Sequence, residues 1–258
     1  MQQRYNIQQL IDKFYQGDNL KFLFFWGHTN KLKEEVGKFC FSQWYELPFV
    51  VDNITYKTAE HWMMAHKALL FEDQKSFDKI INADKPGEVK ELGRLIMGFD
   101  ELIWAANRYK IVVNGNIHKF NQHPKFAEYL VNTNDRILVE ASPVDTIWGI
   151  GLAQDSEYSN EPDNWRGQNL LGFALMEVRD FLMQHGHFNN IQPEVYPPWK
   201  VRSKIDSRDL FWRMGAGDTH IGRFIEYYDK LSTKEKIILK LCYPTPLNWQ
   251  DFYGDEIK

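Results

Sequence analysis

At 258 residues, 43% hydrophobic and 26% charged, the chain has an ordinary globular composition. It is long enough for one large domain, or for a domain of roughly 180 residues with a smaller appendage. A net charge of −4 excludes a global nucleic-acid footprint, so any contact with DNA or RNA has to be local. Cys40 and Cys242 lie far apart in apolar surroundings, which argues against a disulfide framework and for a reducing, cytoplasmic setting.

Residues 1–18 are polar, with no basic-then-apolar leader pattern. The apolar run Phe22-Leu23-Phe24-Phe25-Trp26 is far too short to span a bilayer, so no membrane association is expected. Residues 20–57 read as short strands: Phe39-Cys40-Phe41, Phe49-Val50-Val51 and, after a turn at Asp52-Asn53, Ile54-Thr55-Tyr56. Thr58 is placed to cap a helix that carries Glu60 in its first turn, where a negative charge suits the dipole. Asp73 caps the next helix, to about residue 82, and Pro86 opens another over 87–97 that Gly98 closes.

A long helix is predicted over about 100–120. Asn114-Gly115-Asn116 reads equally as a turn, but Trp104, Arg108, Ile111 and Val112 hold helical spacing. A helix after Pro124, a strand over 136–141, loops over 152–168 and a strong helix over 169–184 complete the main part. Pro193, Pro197 and Pro198 mark 185–199 as a boundary or an extended crossing. Beyond it, Asp218 is placed to cap a helix reaching Lys230, and Ser232-Thr233-Lys234-Glu235 forms a capping box before another.

Three constellations carry chemistry, each with a plain structural alternative. Glu60 and Lys67 share a helical face about 10 Å apart along the axis, with Met63 and Met64 between them. Both charges also simply complement the helix dipole. If the face lines a cleft, Trp62 and the two methionines would desolvate Lys67 and free its amine for attack on carbon. Asp145 follows a strand and precedes Trp148-Gly149, as a site carboxylate or as a turn residue capping its own backbone. Trp104 and Arg108 lie one turn apart, for stacking and phosphate binding or for plain packing.

The stretch Lys200, Arg202, Lys204, Arg208 and Arg213, interleaved with Trp199, Phe211 and Trp212, reads as a single-strand-binding patch or as a solvated, partly packed helix. His61 and His66 are five apart, wrong for two ligands on one helical face. No metal and no cofactor is expected.

Taken in order, Phe41-Ser42-Gln43-Trp44-Tyr45, Glu60-His61…Lys67, Val89-Lys90…Gly93-Arg94, Trp104…Arg108, Leu138-Val139-Glu140…Asp145…Trp148-Gly149 and Asn169-Leu170-Leu171-Gly172 resemble the NADAR (NAD- and ADP-ribose-associated), or YbiA-like, N-glycosidase family over about residues 20–183. The resemblance implies a predominantly α-helical α+β fold, compact, with short strands and a deep pocket. It divides the chain into an N-terminal segment (1–19), a catalytic domain (20–185) and a mainly helical C-terminal extension (186–258). Its members are associated with cleavage of riboflavin-pathway N-glycosides and with removal of ADP-ribose from guanine.

Carried onto this sequence, the family's acid falls on Glu60, its pocket lysine on Lys67 and its loop aspartate on Asp145. Lys67 would attack C1 of a ribose to give an open-chain Schiff base, with Glu60 and Asp145 moving protons. Trp104 and Trp148 would wall the pocket, and Arg94 and Arg108 would bind phosphate. Trp26, Trp44, Gly149 and Asn169 complete the expected substrate-binding set. The implied partner is ADP-ribose or a ribosyl phosphate, with nucleic acid as a possible substrate carrier. The chain departs from the family at Gln43 and Trp44, at Met64 and His66 where Gln is usual, and at Val112, all of which alter pocket polarity.

Overall fold

Short strands and long helices arise from different parts of the sequence, and the helices dominate. The computed structural model describes residues 3–30 and 33–253. They fall into two compact units, one within Met1–Val50 and Thr55–His187, the other within Val51–Ile54 and Phe188–Lys258.

In the first unit, α1 (Ile7–Tyr15) begins at a reciprocal capping box between Asn6 and Gln9. This helix lies in the polar segment where no element was expected. Its signal is that capping pair, since only Leu10 is buried. Strand β1 (Phe22–Phe25) pairs in parallel with β4 (Ile137–Glu140), Phe25 opposite Glu140. The expected strand at Phe39-Cys40-Phe41 is instead a 3-10 turn, Lys38–Phe41, with all three side chains buried. A strand with one covered face would have turned the middle residue outward. Strands β2 (Phe49–Val51) and β3 (Ile54–Tyr56) form the expected hairpin. Its turn residues Asp52 and Asn53 both have positive φ, 51° and 62°, as the matching turn twist requires.

Helix α2 (Ala59–Leu70) packs against α3 (Gln74–Asn82), α4 (Pro86–Arg94) and α5 (Glu101–Asn121). Helix α4 stops at Arg94, three residues before the expected end. Helix α5 runs unbroken through Asn114-Gly115-Asn116. Gly115 is needed there because a Cβ would run into the Trp62 ring of α2. After α6 (Pro124–Val131), β4 leads through loops to α7 (Leu170–His185), which packs on α5, α6 and β4.

The second unit holds α8 (Pro198–Val201), α9 (Gly215–Lys230) and α10 (Thr233–Cys242). Ser232 and Glu235 form the expected capping box of α10. Helix α9 is capped at Met214, four residues before the expected cap, so Asp218 lies in its first turn. Trp199, Trp212 and Trp249 form the buried core cluster of this unit. Two of the rings offered above for stacking on bases are therefore core, which removes that reading of the basic stretch. Cys40 and Cys242 are both unpaired and buried. No helix among the described residues is long and apolar enough to cross a membrane. The fold is α+β and predominantly α-helical.

Candidate active site

Helix α2 is buried along nearly its whole length, so each polar side chain on it needs a partner or a purpose. His61 has partners. Its Nε2 lies 3.1 Å from the Ala83 carbonyl oxygen, which can only accept, so Nδ1 is left to accept the Thr58 hydroxyl at 2.8 Å. Burial holds this histidine below its ordinary value, hence neutral. His66 stacks on Trp62 with ring centroids 3.7 Å apart, and Trp62 donates its indole N–H to the Ile111 carbonyl at 2.9 Å. These side chains are scaffold.

Glu60 and Lys67 are different. Both line a pocket with Gln43, Trp44, Lys90, Glu140, Asp145 and Trp148, and its volume is about 710 Å³, open mouth included. Lys67 donates to the Gly93 carbonyl at 2.9 Å, in the last turn of α4, where the helix end attracts a cation. Gly93 is itself required by space, because a Cβ there would overlap the Met64 sulfur. The Lys67 ammonium lies 4.1 Å from the Phe99 ring centroid and 5.4 Å from that of Trp104. Burial pushes its pKa down, opposed by Glu101. The aromatic cover is therefore Phe99 and Trp104 rather than Trp62, which faces Phe49 and Tyr56 in the core.

Glu60 is 3% exposed. Its backbone N–H donates to the Gln43 carbonyl at 3.0 Å, which fixes the root of the side chain. Burial pushes its carboxyl up to about 7; Lys90 and a hydrogen bond from the Trp44 side chain hold it back, and Asp145 adds to the rise. Asp145 accepts the backbone N–H groups of Ile147 and Trp148 at 2.9 and 2.7 Å. It thus caps its own turn and also borders the pocket.

The pocket brings together Glu60, Lys67, Asp145, Trp44, Arg94, Trp104 and Trp148 from the expected set. Four others lie elsewhere. Trp26 is 62% exposed and is not among the lining residues. Arg108 is buried and reaches Glu101 at 3.5 Å. Gly149 contributes no side chain to the lining. Asn169, fully buried at φ 52°, donates to the Leu138 carbonyl at 2.9 Å and accepts the Glu140 N–H at 3.0 Å, so it holds strand to helix.

Sequence reasoning gave no site role to Glu140 or Lys90, and took Gln43 only as a change in pocket polarity. Glu140 ends a strand whose three preceding residues are all buried, so no alternation told which way its carboxylate points. Lys90 lies one turn before Arg94 on α4, the same stripe. Burial pushes Glu140 up to about 8, with Asp145 and Glu60 adding to the rise and Lys90 opposing it. Among the described residues no group of three His, Cys, Asp or Glu is placed to hold a metal ion.

Fold and site together define a helical α+β domain with a pocket of one desolvated amine, three carboxyls and aromatic walls. The chain belongs to the NADAR domain family, whose model matches residues 24–183. It is 40% identical over 165 residues to "N-glycosidase R617" of Acanthamoeba polyphaga mimivirus, covering 62% of this chain and 95% of that protein. It is 30% identical over 141 residues to "N-glycosidase Npun_R5314" of Nostoc punctiforme, covering 55% and 83%. Over 139 residues it is 31% identical to the chloroplastic "Riboflavin biosynthesis protein PYRR" of Zea mays, covering 51% of this chain and 20% of that protein.

Proposed function

We propose that the chain is an N-glycosidase that removes ADP-ribose from ADP-ribosylated guanine, carried on a nucleoside or on nucleic acid. One observation carries this reading: an amine partly stripped of water, Lys67, borders the same pocket as Glu60 and Asp145. The names of the mimiviral and cyanobacterial relatives support the bond type.

Lys67, as the free amine, attacks C1 of the ribose and displaces the base. Water in the pocket relays to Glu60 the proton that the amine nitrogen loses. The ring then opens to an iminium between Lys67 and C1, with a proton passing to the ring oxygen. Water adds at C1 and expels the amine, which restores Lys67. Asp145 stabilises the positive charge that develops on the sugar carbon. Trp104 and Trp148 supply flat apolar walls, and Lys90 and Arg94, which also line the pocket, supply cations for the phosphate. The side chains of residues 20–185 suffice for this chemistry, with no metal or cofactor.

The test is mass spectrometry of products from ADP-ribosylated guanosine and DNA, with borohydride trapping. Release of ADP-ribose, and a trapped adduct that Lys67→Ala abolishes, are expected. Tight binding with no product would instead mark a non-catalytic ADP-ribose sensor. A second reading has its own support, the likeness to the maize riboflavin biosynthesis protein. In that reading the substrate is an aminouracil ribosyl phosphate, and parallel turnover of the two substrates separates the readings.

A further inference from the structure

The catalytic set above leaves one buried carboxyl unused. Glu140 ends β4, and both its backbone polar groups are locked: its N–H donates to Asn169 and its carbonyl accepts Ile150 at 3.0 Å. Its side chain lines the pocket, yet its Oε2 is buried with no hydrogen-bond partner. A carboxylate oxygen with no donor near it is costly, whereas a carboxylic acid only needs an acceptor. Glu60, by contrast, has a donor in the Trp44 side chain and a cation in Lys90. The groups facing Glu140 are Asp145 and Glu60, which disfavour a further negative charge, and Lys90, which favours one. Of the three carboxyls, Glu140 is the one with a buried oxygen that no donor reaches among the described residues, which suits it to the acid form.

We propose that Glu140 is the general acid that delivers a proton to the departing base, the acceptor it lacks in the protein being the nitrogen of the substrate. This rests on the glycosidase reading above. As the C1–N bond breaks, its electron pair goes to the base nitrogen, which takes the proton of the Glu140 carboxyl, and Glu140 is left as the carboxylate. The water that later adds at C1 gives up the proton that restores the acid. Glu60 collects the proton from Lys67 on the other side of the exchange, so the two glutamates are not interchangeable.

The test is turnover of a series of ADP-ribosyl and ribosyl phosphate N-glycosides whose leaving bases span a range of acidity, with wild type and Glu140→Gln. Glu140→Gln should lose on the order of 10²- to 10⁴-fold on the most basic leaving group. The deficit should shrink steadily as the leaving base becomes more acidic. An equal loss on every substrate, or no loss, overturns the proposal. Should Glu140→Gln fail to fold, the wild type decides by itself. A shallow dependence of rate on leaving-group acidity is expected, and one as steep as that of spontaneous hydrolysis overturns the assignment. If the wild type cleaves no member of the series, the glycosidase reading fails, and this proposal with it.

Discussion

Two buried polar regions of the first unit show opposite designs. Beneath the C-terminal half of α5, Lys119 is fully buried and donates to the Cys40 and Ser42 carbonyls at 2.7 and 2.9 Å. Beside it Asn116 bonds the Gln43 side chain and the Val112 carbonyl. In the pocket, Lys67 has a single carbonyl and two ring faces, and Glu140 Oε2 has no partner. Burial alone does not distinguish them, since it pushes both lysines down, Lys119 to about 8. Satisfaction does. Of these two regions, the one whose polar groups find their partners in the protein is scaffold, and the one whose groups are left short borders the pocket.

The largest expected effect tests the unsatisfied side. Lys67→Ala should cost at least about 10³-fold in turnover and abolish the borohydride adduct. The melting temperature should barely move, because the amine makes one hydrogen bond at a partly open wall. A large fall in melting temperature would place Lys67 with the scaffold and break the contrast. The mirror-image substitution is Lys119→Met, which strips two carbonyls of their donor. It should destabilise the fold by about 3 kcal/mol, read as a lower denaturant midpoint. A loss under about 0.5 kcal/mol would mean that water replaces the amine there, and that satisfaction is not what separates the regions.

The contrast also explains what could be read from the sequence. Glu60, Lys67 and Asp145 were legible because helix period and turn chemistry placed each of them, and the order of the surrounding motifs set them in one register. Phe39-Cys40-Phe41 was misread because strand propensity says nothing of the buried Lys119 amine that binds the Cys40 and Ser42 carbonyls from 79 and 77 residues away. Such contacts are decided by tertiary packing. Trp62 was given the wrong face for the same reason, since its indole seeks the Ile111 carbonyl on another helix. Glu140 hid at the end of an apolar strand buried on both faces, where no alternation marks its direction. Asn169 was mistaken for a ligand contact because a fully buried amide bridging strand and helix looks, in sequence, like any other polar residue before a helix.

Charge sharpens the comparison further. The carboxyls of Glu60 and Glu140 are raised from 4.5 to about 7 and about 8, both chiefly by burial. The folded state therefore keeps protons that the unfolded chain has released. Their contribution to stability is fully present below pH about 4.5 and is lost as the pH rises through 7 and 8. Denaturant unfolding between pH 5 and 9 should show a decline on the order of a few kcal/mol. Glu140→Gln should flatten its upper part. An unchanged slope in that variant would show Glu140 to be ionised and solvated, and so unlike its buried Oε2.

Asp73 supplies the opposite sign and the smallest effect. It caps α3 by accepting the Ser76 N–H at 3.1 Å, takes the Ser76 hydroxyl at 2.6 Å, and accepts the Met97 N–H at 3.0 Å. The Ser76 hydroxyl, with the two backbone donors, holds its carboxyl below 3.8. Its contribution is therefore present above that value and fades as the pH falls through the folded pKa. Asp73→Ala should cost about 1 kcal/mol, typical of a lost N-cap. Its second consequence concerns the pocket. The Met97 contact tethers the segment that leads to Phe99, whose ring lies over Lys67. Releasing it lets water reach the amine, so the trapping rate in Asp73→Ala should shift to higher pH as the Lys67 pKa recovers. A trapping profile identical to wild type would mean that Trp104 alone keeps Lys67 dry, and the aromatic cover would then be assigned to α5 rather than to the loop before it.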